Sequence, residues 1–225
     1  MIEIICVYVI IFGSLAILLL SLNEHSIVKK QINEEYKRFS LTLSNSSNEK
    51  LGKIGEIEVS SVLRILPKDR YIVIDNLLYL NNNRTHQIDH VVVSNYGIFI
   101  IETKNYSGSV YGSDRNNTWY QYLANKRYTF LNPVLQNYGH VRALESKIPE
   151  YKDYFVPIVC FTNKSKLKVK TKSYVIQLKD LLELITSYNT EVLIPDINLV
   201  AQNLINLSID MPGALEHHSS SINKR

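Results

Sequence analysis

Gln87 to Lys104 reads Q-I-D-H-V-V-V-S-N-Y-G-I-F-I-I-E-T-K: two apolar runs flank Asn95-Tyr96-Gly97, and charges stand only at their outer ends. Short runs rich in Val and Ile, split by a turn signal, predict a tight β-hairpin. Strands folded back about Asn95 and Tyr96 place residues whose numbers sum to 191 face to face, so Asp89 falls opposite Glu102 with Cβ atoms about 5 Å apart. Side chains alternate along a strand, so Glu102 and Lys104 share a face, Asp89 joins them across the ladder, and His90 points to the other side as a packing or supporting residue. Two carboxylates so close on apolar strands repel each other unless a cation or a proton lies between them.

Asp followed by Glu-x-Lys across a hairpin resembles the PD-(D/E)xK nuclease superfamily, and the surrounding motifs resemble one branch of it, the nuclease-related domain (NERD) family. The motifs are Gly52-Lys53-Ile54-Gly55-Glu56, Gln87-Ile88-Asp89-His90, Glu102-Thr103-Lys104 followed by Asn105-Tyr106-Ser107-Gly108, and Asn132-Pro133-Val134-Leu135-Gln136. E-x-K alone is weak; four motifs in order, spread over Glu49 to Ile185, are much more specific. Ile88 stands where the superfamily name has Pro, a departure that bears on backbone shape rather than on the carboxylate. The resemblance implies an α/β fold, a restriction-endonuclease-like mixed sheet flanked by helices. It also implies a nuclease site in which Asp89 and Glu102 hold Mg²⁺, or Mn²⁺, and Lys104 orients water or stabilises developing charge. Glu56 and Gln136 complete that site, and nucleic acid is the implied partner, DNA rather than RNA.

Residues Ile4 to Leu22 carry no charge over 19 positions, enough to span a bilayer core of about 30 Å at about 1.5 Å per residue. This predicts a single N-terminal transmembrane helix. The start Met1-Ile2-Glu3 lacks a positive side chain and no small-x-small site ends the run, which argues against a cleaved signal peptide. Lys29, Lys30, Lys37 and Arg38 follow the run, so the positive-inside rule puts the domain in the cytoplasm. Cys6 in that segment and Cys160 in an apolar strand cannot meet in a disulfide, and no Cys/His set has zinc-ligand spacing. The expected organisation is an anchor over 1–23, a juxtamembrane helix and linker over 24–48, a nuclease-like domain over 49–212 and a disordered tail over 213–225.

Ile54, Ile57, Val59, Val62, Leu63 and Leu66 recur at helical spacing until Pro67, which puts Glu56 on a helix. Gly52 and Gly55 cost about 1 kcal/mol each inside that helix, so a close approach to another backbone would explain them. Tyr71 to Leu80 reads as a strand, Asn81 to Thr85 as a polar loop and Gly108 to Leu131 as short aromatic-rich strands whose tyrosines either pack or stack bases. Asn132-Pro133 starts a helix carrying Gln136 and His140 a turn apart, and Tyr154 to Thr162 is a buried strand. Leu178 to Ile185 and Pro195 to Leu207 are amphipathic helices.

Lys164, Lys166, Lys168, Lys170 and Lys172 occupy every second position and point one way in an extended chain. Such a stripe suits a phosphate backbone, and equally guards an exposed strand edge. The net charge of +4 permits nucleic-acid binding without requiring it. Two readings of function remain: a membrane-anchored, metal-dependent nuclease hydrolysing phosphodiester bonds, and a non-catalytic membrane-tethered binding or signalling module on the same fold.

Overall fold

The computed structural model describes residues 48–82, 84–189 and 194–209. The expected anchor over Ile4–Leu22, the juxtamembrane stretch and the tail lie outside the described residues, among which no helix is long and apolar enough to cross a membrane.

The chain forms a mixed α/β fold, with two mixed sheets where one was expected. Helix α1 (Asn48–Leu63) leads into strands β1 (Tyr71–Asn81), β2 (Arg84–Ser94) and β3 (Gly97–Lys104). Strands β4 (Gly108–Ser113), β5 (Thr118–Leu123) and β6 (Lys126–Leu131) precede helix α2 (Pro133–Glu145). Then come β7 (Phe155–Phe161), β8 (Ser165–Lys170), β9 (Tyr174–Gln177) and helices α3 (Leu181–Ser187) and α4 (Ile197–Ile209). The first sheet has the order β1-β2-β3-β7-β9 and the second β6-β5-β4-β8.

Three antiparallel ladders run to the very ends of their strands, closing at Asn81↔Arg84, Ser94↔Gly97 and Leu123↔Lys126. The polar loop expected over Asn81–Thr85 is therefore mostly ladder. In the third turn Ala124 and Asn125 both hold positive φ, 48° and 62°, the backbone that matches the twist of the flanking strands.

Two parallel ladders tie the sheets together. β3 pairs with β7 from Ile98↔Phe155 to Lys104↔Phe161, and β4 pairs with β8 from Gly108↔Ser165 to Ser113↔Lys170. Every pair in both ladders joins residues 57 positions apart, so one register runs unbroken from the first sheet into the second. The crossing is held by Thr162 N–H donating to Lys104 O at 3.0 Å and Thr162 Oγ1 donating to Asn105 Oδ1 at 2.9 Å.

The first sheet is buried on both faces, as its near-continuous apolar strands require. Val91, Val93, Ile98 and Ile100 pack with Val141 and Leu144 of α2 and with Val200 and Leu204 of α4. Val92, Phe99 and Ile101 pack on the other face with Val59 and Leu63 of α1 and with Leu181 and Ile185 of α3. A third cluster, Val110, Trp119, Val134, Val159 and Phe161, joins the second sheet to the end of the first.

Strand alternation breaks at one point. Ile72 and Ile74 line the same cluster as Leu77 and Tyr79, and Ile88 lines the same cluster as Val91 and Val93, so the facing parity resets on both strands between these residues. Asn76 lies there with φ +55°, left-handed backbone that asparagine tolerates better than most residues. The pairs Asp75↔His90 and Leu77↔Ile88 bracket the break, which places Asp89 at it.

Candidate active site

The hairpin pairs as its sequence dictates, from Ser94↔Gly97 outward to His90↔Ile101. Beyond His90 the side chain of Asp89 takes over from the backbone: Oδ2 accepts from the Thr103 amide at 2.8 Å. The carboxylate thus reaches sideways toward β3, because the break in alternation frees it from either face. This departs from a simple face-to-face pair with Glu102, yet the charge of Glu102 still acts on the Asp89 carboxyl.

Glu102 is 3% exposed and Lys104 projects beside it. Lys104 Nζ donates to Glu102 Oε1 at 2.6 Å and to Gln136 Oε1 at 3.1 Å. Gln136 reaches this point because Asn132 caps α2, its Oδ1 accepting from the Val134 amide at 2.9 Å, while Pro133 occupies the first turn, where no N–H is missed. One turn on, His140 Nε2 stands 3.4 Å from Glu102 Oε2, near enough for an ion pair when protonated but poorly aligned for a hydrogen bond. Four sequence-derived residues, Asp89, Glu102, Lys104 and Gln136, are therefore brought together.

The electrostatics divide the two carboxylates. Burial and then the charge of Glu102 push the Asp89 carboxyl well above the usual range, with Glu56 adding repulsion and the Thr103 amide opposing it. Burial would raise Glu102 as well, but Lys104 and then His140 outweigh it and hold Glu102 below the usual range. Lys104 loses to burial and gains more from Glu102, so its ammonium is held above the ordinary lysine value. Glu56 is thus near enough to Asp89 to be felt, from a half-buried position on α1.

Glu56 arrives there by a close approach of helix to strand. A Cβ on Gly55 would lie 2.7 Å from Asn105 Cβ and 3.4 Å from Thr103 Cγ2, whereas one on Gly52 would meet nothing within 4 Å. The two glycines should therefore respond with opposite signs. Gly55→Ala should destabilise the domain by about 1–3 kcal/mol through overpacking. Gly52→Ala should stabilise it by up to about 1 kcal/mol through helix propensity alone. Denaturant midpoints of the two variants check this, and equal shifts would show that α1 does not seat on β3 in solution.

The partners of several supporting residues carried no signal in the sequence. His90 is 1% exposed on the α1 side, as expected from alternation, and its Nδ1 lies 2.7 Å from Asp75 Oδ1. Ser60 Oγ donates to Asp75 Oδ2 at 2.6 Å, and these contacts outweigh burial to hold the Asp75 carboxyl below its usual range. Asn137 Nδ2 donates to Ile100 O at 2.8 Å and to Ile158 O at 3.0 Å, clamping α2 to β3 and β7. His140 was marked only by its spacing from Gln136.

The lysine stripe is only partly a strand. Lys166, Lys168 and Lys170 lie on β8 with exposed side chains, alternating with the half-buried Leu167 and Val169. Lys164 precedes it, 3.4 Å from Asn105 Oδ1 and 3.9 Å from Glu58 Oε2, and Lys172 follows in a bend where its amide donates to Asp114 Oδ2 at 2.8 Å. Cys160 is fully buried, and burial, then Glu58 and Asp180, push its thiol up to about 12, so it is a packing residue.

Among the described residues no three His, Cys, Asp or Glu side chains gather as a metal cage. Asp89 and Glu102 nevertheless suit one class of ion. Mg²⁺ takes one or two carboxylates and fills its other positions with water and substrate phosphate, and at Asp89 burial first and the charge of Glu102 second both disfavour the charged carboxylate, which a bound cation would offset. A thiolate or imidazole set of the kind zinc uses is absent from this group of residues.

Residues 51–162 match the family model described as nuclease-related domain, NERD. An uncharacterized Bacillus anthracis protein, pXO1-01, is 38% identical over 142 residues, which are 61% of this chain and 66% of that relative. The chain thus spans just under two thirds of the relative's length. The crystal structure of a protein of unknown function, AF1548, aligns over 66% of this chain and 78% of its own at 16% identity, with a TM-score of 0.32. With the family's match covering both hairpin strands, α1 from Leu51, and α2, the chain belongs to the nuclease-related domain family of the restriction-endonuclease-like superfamily.

Proposed function

We propose that this protein is a divalent-metal-dependent nuclease that hydrolyses phosphodiester bonds of nucleic acid, with DNA as its first candidate substrate. The observation that carries the reading is the meeting of Asp89, Glu102, Lys104 and Gln136 where β2 and β3 diverge. Asp89 and Glu102 would hold Mg²⁺ or Mn²⁺, which when bound neutralises charge on the scissile phosphate and lowers the pKa of a water. Two of the three Lys104 ammonium protons are committed to Glu102 and Gln136, which leaves the third for a phosphate oxygen or the attacking water. Water oxygen then bonds to phosphorus and gives up a proton to solvent, the P–O bond to the leaving sugar breaks with its electron pair going to the sugar oxygen, and that alkoxide takes one proton back from solvent. Gln136 positions Lys104, His140 steadies the second oxygen of Glu102, and Glu56 adds negative charge beside Asp89.

The test is to incubate the purified 225-residue chain with mixed DNA and RNA in Mg²⁺, Mn²⁺ or EDTA. Cleavage is expected with either metal and not in EDTA. Products formed in EDTA would refute metal dependence, and oligonucleotide binding without products would leave a tethered binding module instead.

The same proposal includes a membrane anchor at Ile4–Leu22 and a cytoplasmic domain, supported by the uncharged run and the lysines after it. Protease added to intact cells should leave the domain whole. Its digestion would reverse the orientation, and recovery of the chain in the soluble fraction would remove the anchor.

A further inference from the structure

The outer face of the second sheet collects aromatic rings and cations away from the buried core. The inner face already has its core: Val110 and Trp119 are fully buried there, with Trp119 lying against Gly112, where a Cβ would clash with the indole ring. On the outer face Tyr111 and Tyr120 stack with centroids 5.2 Å apart and planes 7° from parallel. Tyr122, 44% exposed, meets both edge-on at 5.7 and 5.8 Å.

Cations flank these rings on two sides. Arg127, on β6 opposite Tyr122, lies 4.5 Å from the Tyr120 ring centroid. On the other side the β4–β8 register sets Lys166 beside Ser109, Lys168 beside Tyr111 and Lys170 beside Ser113. Lys168 Nζ lies 5.3 Å from the Tyr111 ring centroid and donates to its hydroxyl at 3.1 Å. The outward positions of β4, β5, β6 and β8 include no Asp or Glu. Guarding the edge of β8 would explain the lysines, but it gives no reason for three tyrosines on the solvent side of β4 and β5.

We propose that this face binds single-stranded nucleic acid, with unpaired bases stacked on the tyrosines and phosphates lying along Lys166, Lys168 and Lys170. The inference rests on nucleic acid being the substrate and adds the form it takes. Flat ring faces are sequence-tolerant partners for unpaired bases, whereas a duplex keeps its base faces covered. Alternate residues of a strand recur about every 6.6 Å, which lets three lysines follow an extended backbone in step.

The test uses the full chain in EDTA, which separates binding from cleavage, and a fluorescein-labelled mixed-sequence DNA of about 20 nucleotides, long enough to cover one such binding face, single-stranded or annealed to its complement. Anisotropy should show tighter binding of the single strand. Replacing Lys166, Lys168 and Lys170 together by Gln should flatten the slope of log affinity against log salt by about 2, at about 0.7 per phosphate contact. Tyr122→Ala should weaken binding roughly 5- to 100-fold, and Tyr122→Phe, which keeps the ring, should bind like the parent. Circular dichroism of each variant should match the parent.

Equal or tighter binding of the duplex, an unchanged salt slope, or a silent Tyr122→Ala in a folded protein would each overturn the proposal. Single-strand binding in EDTA without products in Mg²⁺ would remove the nuclease reading and leave the platform standing. Cleavage in Mg²⁺ by variants that bind like the parent would do the reverse.

Discussion

Lys104→Ala is expected to abolish cleavage, with a loss of roughly 10²–10³-fold or more, while divalent metal binds as well as to the parent or better. In the proposed mechanism the ammonium is the transition-state cation, and its removal also takes away a competitor for Glu102 Oε1, which Lys104 holds at 2.6 Å. Without metal the same change leaves a 3% exposed carboxylate with no cation at that oxygen, so the metal-free variant should lose about 3–5 kcal/mol of stability. Added Mg²⁺ should recover much of that loss, giving a protein whose melting temperature depends on metal far more than the parent's. Calorimetry and thermal melts in EDTA and in Mg²⁺ provide the readings. Cleavage that survives Lys104→Ala would make this lysine a structural ion pair.

Asp89→Asn should also stop cleavage, but with opposite effects on metal and stability. The amide keeps the shape of the side chain, and its oxygen still accepts from the Thr103 amide, while the anionic donor is gone. Metal affinity should fall with activity. Because burial and Glu102 together disfavour the charged carboxylate, the metal-free variant should gain about 1 kcal/mol at neutral pH, or about 2–4 °C in a domain of this size. The sign fixes the pH window. Asp89 has a folded-state pKa raised above the unfolded value, so below about 3.9 both states carry the proton and nothing is lost. As pH climbs, the unfolded chain ionises first and the parent loses stability until the folded-state pKa is passed. The advantage of the Asp89→Asn variant should therefore grow with pH from the acid range and vanish below it; an advantage largest at low pH would contradict the assigned repulsion.

The hairpin was legible because its turn residues and its apolar alternation act locally: Asn95 and Tyr96 set the register, and the register sets the partners of Glu102. The helical placement of Gln136 followed from Asn132-Pro133 for the same reason. What the sequence could not show depends on partners far along the chain. Asp89 points toward Thr103 because the alternation breaks at Asn76, and a left-handed asparagine looks like any other in a row of letters. His90 acquires its role from Asp75 and Ser60, which belong to another strand and a helix. Alternating lysines were visible, but their even spacing hid that β8 supplies only three of the five, since Glu58 and Asn105 lie beside Lys164. Likewise the tyrosines read as packing or stacking until the register assigned Trp119 inward and Tyr120 outward.

The common offset of 57 residues in both parallel ladders also governs when the two sheets can be completed during the chain's own synthesis. Hairpins with short turns need only local closure and form early, whereas a parallel pairing must first close a long loop. As the chain leaves the ribosome, β1, β2 and β3 can zip together long before β7 exists, so Asp89 and Glu102 would meet on an exposed half-sheet. Not until Phe155 to Lys170 has emerged does β3 gain its second neighbour and β4 its edge strand. A nascent chain halted before Phe155 is accordingly expected to cut nothing, which would keep a nuclease silent beside the messenger that encodes it; cleavage by a stalled chain of that length would show the late strands to be dispensable.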